Sequence, residues 1–80
     1  MTKVEKERLI KVINNIVKRC NLYYLKAGEF LETNKQDEFK ANYNLADSLY
    51  CTLLYFKLEG FIEYKLIRGK YNRVEVEFLF

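Results

Sequence analysis

The spacing of apolar side chains changes once along this chain, at Gly60. Before that residue, apolar side chains recur at steps of three and four, which is the period of an amphipathic helix. After it they recur at every second position, which is the period of a β-strand. Eighty residues are enough for one small domain. The order of the two periods therefore predicts a single α+β domain over residues 1–80, with two long antiparallel helices followed by a C-terminal β-hairpin (α-α-β-β).

The first helix is predicted over residues 2–27. Its apolar stripe has six members at helical spacing: Leu9, Ile13, Ile16, Cys20, Tyr23 and Ala27. Gly28 leaves two possible end points for this helix. The helix either stops there or runs over the glycine as far as Leu31, at a cost of about 1 kcal/mol relative to alanine.

The second helix is predicted over residues 34–59. Thr33 and Gln36 form the T-x-x-Q pattern of a capping box, in which the threonine caps the first turn of the helix. Gly60 is placed to end the helix, with Phe61 folding back on the last turn as in a Schellman motif. The two helices are therefore predicted to form a hairpin with a short turn.

The strands that follow are predicted to pair as a β-hairpin centred on Lys70. The predicted facing residues are Ile62 with Phe78, Tyr64 with Val76, and Leu66 with Val74. This register sets Lys65 against Glu75, a favourable pair of opposite charges. It also sets Glu63 against Glu77, a repulsive pair, which leaves a shift of one or two residues open.

The residue types that carry most enzyme chemistry are missing from this chain. It has no histidine, and Ser48 is its only serine, so neither a Ser-His nor a Cys-His pair can form. Cys20 and Cys51 alone leave a zinc site short of soft ligands. No glycine-rich phosphate-binding motif occurs. We therefore expect no catalytic residue, no metal and no cofactor.

The location of the protein is predicted from its N-terminal segment and its longest apolar run. Five of the first ten residues are charged, and this segment lacks the apolar core of a secretory signal. The run over residues 45–62 is interrupted by Asp47, Lys57 and Glu59, so it does not form a bilayer span. We expect a cytoplasmic protein with no membrane contact. The bias towards Lys, Asn, Ile and Tyr favours an origin in an AT-rich genome, such as that of a phage or plasmid.

The chain carries more apolar surface than two helices and two strands can cover. Eight of the ten residues in 49–58 are apolar and lie on all sides of the helix, so that helix must be covered on all sides. Two strands alone are marginal and have open edges. We therefore predict a small non-catalytic accessory or regulatory protein that acts through protein–protein contacts as a homodimer. The dimer could pair helices, join hairpin edges or do both. The predicted interface residues are Tyr50, Leu54, Tyr55, Leu58, Phe78 and Phe80.

Nucleic-acid binding is the alternative prediction. Residues 1–27 carry seven basic and two acidic side chains, a net charge of +5. The basic residues form two clusters, with Arg8, Lys11, Lys18 and Arg19 on the first helix and Arg68, Lys70 and Arg73 around Tyr71 in the hairpin loop. Residues 58–78, LEGFIEYKLIRGKYNRVEVEF, resemble the helix end and wing of a winged-helix domain, which implies a loop that follows a phosphate backbone. The chain departs from that family upstream, because residues 37–59 form one helix where a helix-turn-helix is needed.

Overall fold

The computed structural model describes all 80 residues. Helix α1 spans Lys3–Glu32 and α2 spans Gln36–Leu58; strand β1 spans Ile62–Ile67 and β2 spans Arg73–Phe78. The strands pair antiparallel in a two-stranded sheet. This order confirms the predicted α-α-β-β fold. Strand β1 packs against α2 and strand β2 packs against α1, so the hairpin forms a second layer over the helix pair.

The turn between the helices differs from the predicted capping box. Thr33 is the C-cap of α1, and its hydroxyl donates to the carbonyl oxygens of Glu29 and Phe30 at 3.3 and 3.2 Å. The N-cap of α2 is Lys35, which makes no side-chain capping bond. Asn34 between them has φ 57°, a left-handed conformation that asparagine tolerates better than most residues. The capping prediction was wrong because α1 extends to Glu32 and takes Thr33 as its C-cap.

Helix α1 runs over Gly28 without a break. The ring of Tyr71, in the hairpin loop, packs directly on this glycine. A Cβ at position 28 would lie 2.6 Å from Cε1 of Tyr71 and closer still to Cδ1. Glycine is weak in a helix interior, but here the missing side chain makes room for an aromatic ring.

The core is small and lies between the helices and the inner face of the hairpin. Its fully buried members are Ile13, Cys20, Tyr24, Ala27, Ala46, Leu53, Ile62 and Val74. Small residues let the helices approach closely at Cys20, whose thiol donates to the carbonyl oxygen of Ala46 at 3.3 Å. Only these eight residues are buried, whereas twelve large apolar residues are exposed. The fold therefore leaves much of its apolar surface outside.

The predicted register of the hairpin is confirmed. Ile62 faces Phe78, Tyr64 faces Val76 and Leu66 faces Val74. The repulsive pair of Glu63 and Glu77 is present as well. The Nζ atom of Lys57 lies 3.6 Å from the carboxylate of Glu63 and offsets part of that repulsion. Exposed charges contribute only about 0–1 kcal/mol per pair, so the apolar inner face decides the register.

Two local sets of hydrogen bonds fix the β-hairpin relative to the helices. The predicted Schellman motif is confirmed: Gly60 has φ 80°, and the Phe61 N–H donates to the Phe56 carbonyl oxygen at 3.0 Å. On the other side, the amide side chain of Asn21 bonds both backbone groups of Val74. It donates to the carbonyl oxygen at 3.1 Å and accepts from the N–H at 2.6 Å. Asn21 thus ties the outer edge of β2 to α1.

Candidate functional site

The outward side of α2 carries an apolar stripe, which we call the α2 face. Its members are Cys51, Leu54, Tyr55 and Leu58. Their spacing of three, four and seven residues places them on one side of the helix. Tyr55 and Leu58 are 71% and 73% exposed, and Leu54 is 41% exposed. Cys51 is exposed and free. The α2 face is therefore an uncovered patch of large apolar side chains.

Charge is scarce over residues 41–56 of α2, and Lys57 and Glu59 flank the last member of the α2 face, Leu58. Residues 41–56 contain one charged residue, Asp47, in a chain of which 31% is charged. The carboxylate of Asp47 accepts a hydrogen bond of 2.7 Å from the hydroxyl of Tyr24 on α1. The exposed side of a surface helix normally carries charged and polar residues. Depletion of charge with enrichment in large apolar and aromatic residues is typical of the centre of a protein interface.

The other predicted interface residues lie elsewhere. Tyr50 is half-buried and faces the hairpin, with its ring centroid 5.0 Å from that of Tyr64. Phe78 and Phe80 belong to an aromatic cluster with Phe61, at centroid distances of 5.8 and 5.9 Å. The structure thus brings together three of the six predicted residues, Leu54, Tyr55 and Leu58. It adds Cys51, which the helical spacing could have revealed.

Two of the three cations of the hairpin loop form exposed ion pairs within the protein. Lys70 Nζ lies 3.3 Å from the carboxylate of Glu32 and 5.4 Å from the ring centroid of Tyr71. The hydrogen bond and charge of Glu32 raise the pKa of Lys70. Arg73 forms a 3.0 Å ion pair with Glu75, two residues further along β2. Arg68 alone among the three loop cations makes no ion pair. The side chain that the wing resemblance would offer to nucleic acid, Tyr71, is half-buried on α1.

The basic residues of α1 remain free. The four predicted ones, Arg8, Lys11, Lys18 and Arg19, are exposed and take part in none of the ion pairs. Lys26 is exposed on the same side of the helix and was missed in the sequence. The hairpin loop meets α1 at Gly28, which at 100° per residue lies at least about 80° around the helix from each of these five cations. The two predicted basic clusters therefore do not merge into one surface.

Cavities are open and shallow. The groove between the helix turn and the hairpin loop has a volume of about 190 Å³ and is lined by Tyr24, Tyr43 and Tyr71 among others. No group of three His, Cys, Asp or Glu side chains is placed to hold a metal ion. No helix combines the length and the apolar character needed to cross a membrane.

Two buried titratable groups lie where α1 meets α2. Burial, with a smaller contribution from Asp47, raises the pKa of the Cys20 thiol to about 11. Burial also raises the pKa of Tyr24, and the hydrogen bond that its hydroxyl donates to Asp47 acts in the same direction. Both groups are therefore neutral over the physiological range, and Cys20 is an unreactive thiol of the core.

These pKa shifts predict a loss of stability in alkali. In the unfolded chain Cys20 loses its proton near 9.0, whereas the folded protein holds it up to about 11. Deprotonation therefore favours the unfolded state as the pH rises through this window. Urea denaturation at pH 8 and pH 10.5 should show a lower free energy of unfolding at the higher pH. The free energy of unfolding of Cys20→Ala should fall less between these two pH values than that of wild type. That of the control variant Cys51→Ala should fall as much as that of wild type. Equal losses of stability in all three proteins would show that the Cys20 thiol is not the group responsible.

Two surfaces thus stand out on this molecule: the uncharged α2 face, and the unpaired basic side of α1. Comparison of the chain with models of protein families, with curated proteins and with solved structures found no match.

Proposed function

We propose that this chain is a small, non-catalytic accessory or regulatory protein of the cytoplasm that acts through protein–protein contacts as a homodimer. The observation that carries the proposal is the α2 face, where Leu54, Tyr55 and Leu58 stay exposed. Removal of apolar surface from water drives association. Symmetric homodimers are the commonest protein assemblies.

The α2 face is complementary to a second copy of itself. A two-fold axis that passes between Leu54 and Tyr55 pairs the α2 helices of two copies antiparallel. It sets Leu54 of each copy against Tyr55 of the other, and Cys51 against Leu58. Each copy then uses the same patch, as a two-fold interface requires. The only charged residue in residues 41–56 is Asp47, already held by Tyr24, so no like charges meet at the centre.

The small size of the patch argues against an obligate dimer. Four exposed side chains per copy make a small interface, below the area of standard protein–protein complexes. Interfaces at the small end of the range are typical of weak or transient association. The folded monomer is expected to persist on dilution.

Leu54→Glu is expected to weaken the dimer by at least about tenfold, because each copy would bring a carboxylate into the centre of the interface. Sedimentation equilibrium measures this directly. The mass of wild type should approach twice 9.7 kDa at several hundred micromolar, and the variant should need a concentration at least about tenfold higher to reach the same mean mass.

Leu22→Glu is the matched control. Leu22 lies on α1 and is 46% exposed, against 41% for Leu54, so the same substitution is made at similar exposure on a different surface. It should leave the dimer intact. A wild type that stays monomeric at the highest concentration would refute the homodimer. Equal weakening by both substitutions would remove the α2 face as its interface.

A further inference from the structure

We propose that the outer side of α1 binds the phosphate backbone of a nucleic-acid duplex, without a contribution from the hairpin loop. The surface, here called the α1 basic face, consists of Arg8, Lys11, Lys18, Arg19 and Lys26. It lies on a different helix from the α2 face. The inference therefore goes beyond the proposed function and holds whether or not the chain dimerises.

The α1 basic face is one continuous stripe. At 100° per residue its five cations fall within a sector of about 100° around the helix. At 1.5 Å per residue they extend about 27 Å along it, from Arg8 to Lys26. No acidic residue occurs between Arg8 and Gly28 in the sequence. All five cations are exposed.

The acidic residues nearest to this stripe in the sequence, Glu7 and Glu29, form no ion pair with it. The three ion pairs of the structure use Lys57, Lys70 and Arg73, and none uses a cation of the α1 basic face. Like charges three residues apart on a helix, such as Arg8 and Lys11, repel each other. An aligned row of unpaired cations attracts a polyanion, whose bound counterions are released when the charges meet.

The shape of the surface favours a duplex over a lipid membrane. A helix that lies in a membrane surface inserts its apolar side among the lipids. The apolar side of α1 is already buried in the core through Ile13, Cys20 and Tyr24. The side that stays outside carries the five cations, with the exposed Leu22 among them, and a duplex offers one negative charge per 1.7 Å of its axis along such a row of cations. Contacts to phosphates carry no base information, so the binding is independent of sequence.

The hairpin loop provides a matched control because it carries three cations of its own. Lys70 and Arg73 are held in ion pairs, and the loop is anchored by Tyr71 on α1. Removal of three charges from the loop changes the net charge as much as removal of three from the α1 basic face. The two variants therefore lose the same number of charges from different places on the protein.

The test is fluorescence anisotropy with a labelled 20-base-pair DNA duplex at 50 mM salt and above. Wild type should bind, with an affinity that falls steeply as salt is added. The triple variant Lys11→Gln, Lys18→Gln and Lys26→Gln should bind about tenfold more weakly or worse, and should lower the slope of log K against log salt by about 2 to 3. The triple variant Arg68→Gln, Lys70→Gln and Arg73→Gln should change the affinity by less than about threefold.

Three outcomes would overturn the inference. They are no binding of wild type at 50 mM salt, a larger loss in the loop variant than in the α1 variant, and binding to phosphatidylserine vesicles without binding to the duplex. Leu54→Glu separates the two proposals, because it should bind the duplex as a monomer. If the protein dimerises but does not bind the duplex, the proposed function stands and this inference fails. If it binds the duplex but does not dimerise, this inference stands and the proposed homodimer fails.

Discussion

Leu53→Asp is expected to unfold the protein at 25 °C. Leu53 has no exposed surface and lies in the core between the two layers. A carboxylate at this position finds no partner, and burial of an unpaired charge costs several kcal/mol. Domains of ordinary size are stable by only about 5–15 kcal/mol, and a core of eight buried residues leaves little reserve. Far-ultraviolet circular dichroism should show loss of the helical signal.

The neighbouring substitution Leu54→Asp is the control for this experiment. Leu54 is 41% exposed on the α2 face, so its carboxylate can stay in water and the helical spectrum should match that of wild type. One residue along a helix turns the side chain by about 100°, which is the whole difference between the two variants. A Leu53→Asp protein with a native spectrum would show that the buried side of α2 is wrongly assigned.

Gly28→Ala is expected to destabilise the protein by about 1–3 kcal/mol, as other overpacking substitutions do. At an open helix position the same change stabilises by about 1 kcal/mol, because alanine is the better helix former. The sign reverses here because the new Cβ would overlap the ring of Tyr71. Either that ring leaves α1, with the hairpin loop, or the helix shifts. Urea denaturation of the variant and of wild type measures the difference.

The Tyr71→Ala background separates the clash from every other effect of the substitution. With the ring removed, Gly28→Ala should raise the free energy of unfolding by about 1 kcal/mol, as propensity alone predicts. The two substitutions are therefore expected to be strongly non-additive. If Gly28→Ala has the same effect in both backgrounds, Tyr71 does not rest on Gly28, and the hairpin loop is freer than the structure shows.

The elements and the strand register follow from interactions between residues that are close in the chain. The Schellman turn at Gly60 needs only the glycine and its neighbours. The pairing of Leu66 with Val74 follows from a short loop and from alternation, because a slip of one residue would turn every apolar side chain of a strand to the outer face. Periodicity and turn chemistry therefore sufficed for the fold class and the register.

The turn between the helices shows where local patterns stop being sufficient. Thr33 satisfies the pattern of an N-cap, yet it ends α1. The glycine inside α1 is explained by Tyr71, which reaches it only after the chain has folded back through α2 and β1. No window of neighbouring residues contains both groups, so spacing alone could not tell a glycine inside the helix from a glycine at its end.

For the two candidate surfaces as well, part could be predicted from the sequence and part depends on the tertiary structure. An excess of apolar residues in 49–58 and of cations in 1–27 is legible in the sequence, because each is a property of composition. Tyr50 and Tyr55 are the same residue type on one helix, yet Tyr50 packs on Tyr64 and Tyr55 is 71% exposed. Which side of a helix is covered depends on where distant segments pack. Long-range packing therefore decides that Tyr50 is half-buried and Tyr55 is exposed. It also decides that Lys70 pairs with Glu32, whereas the lysines of the α1 basic face stay unpaired.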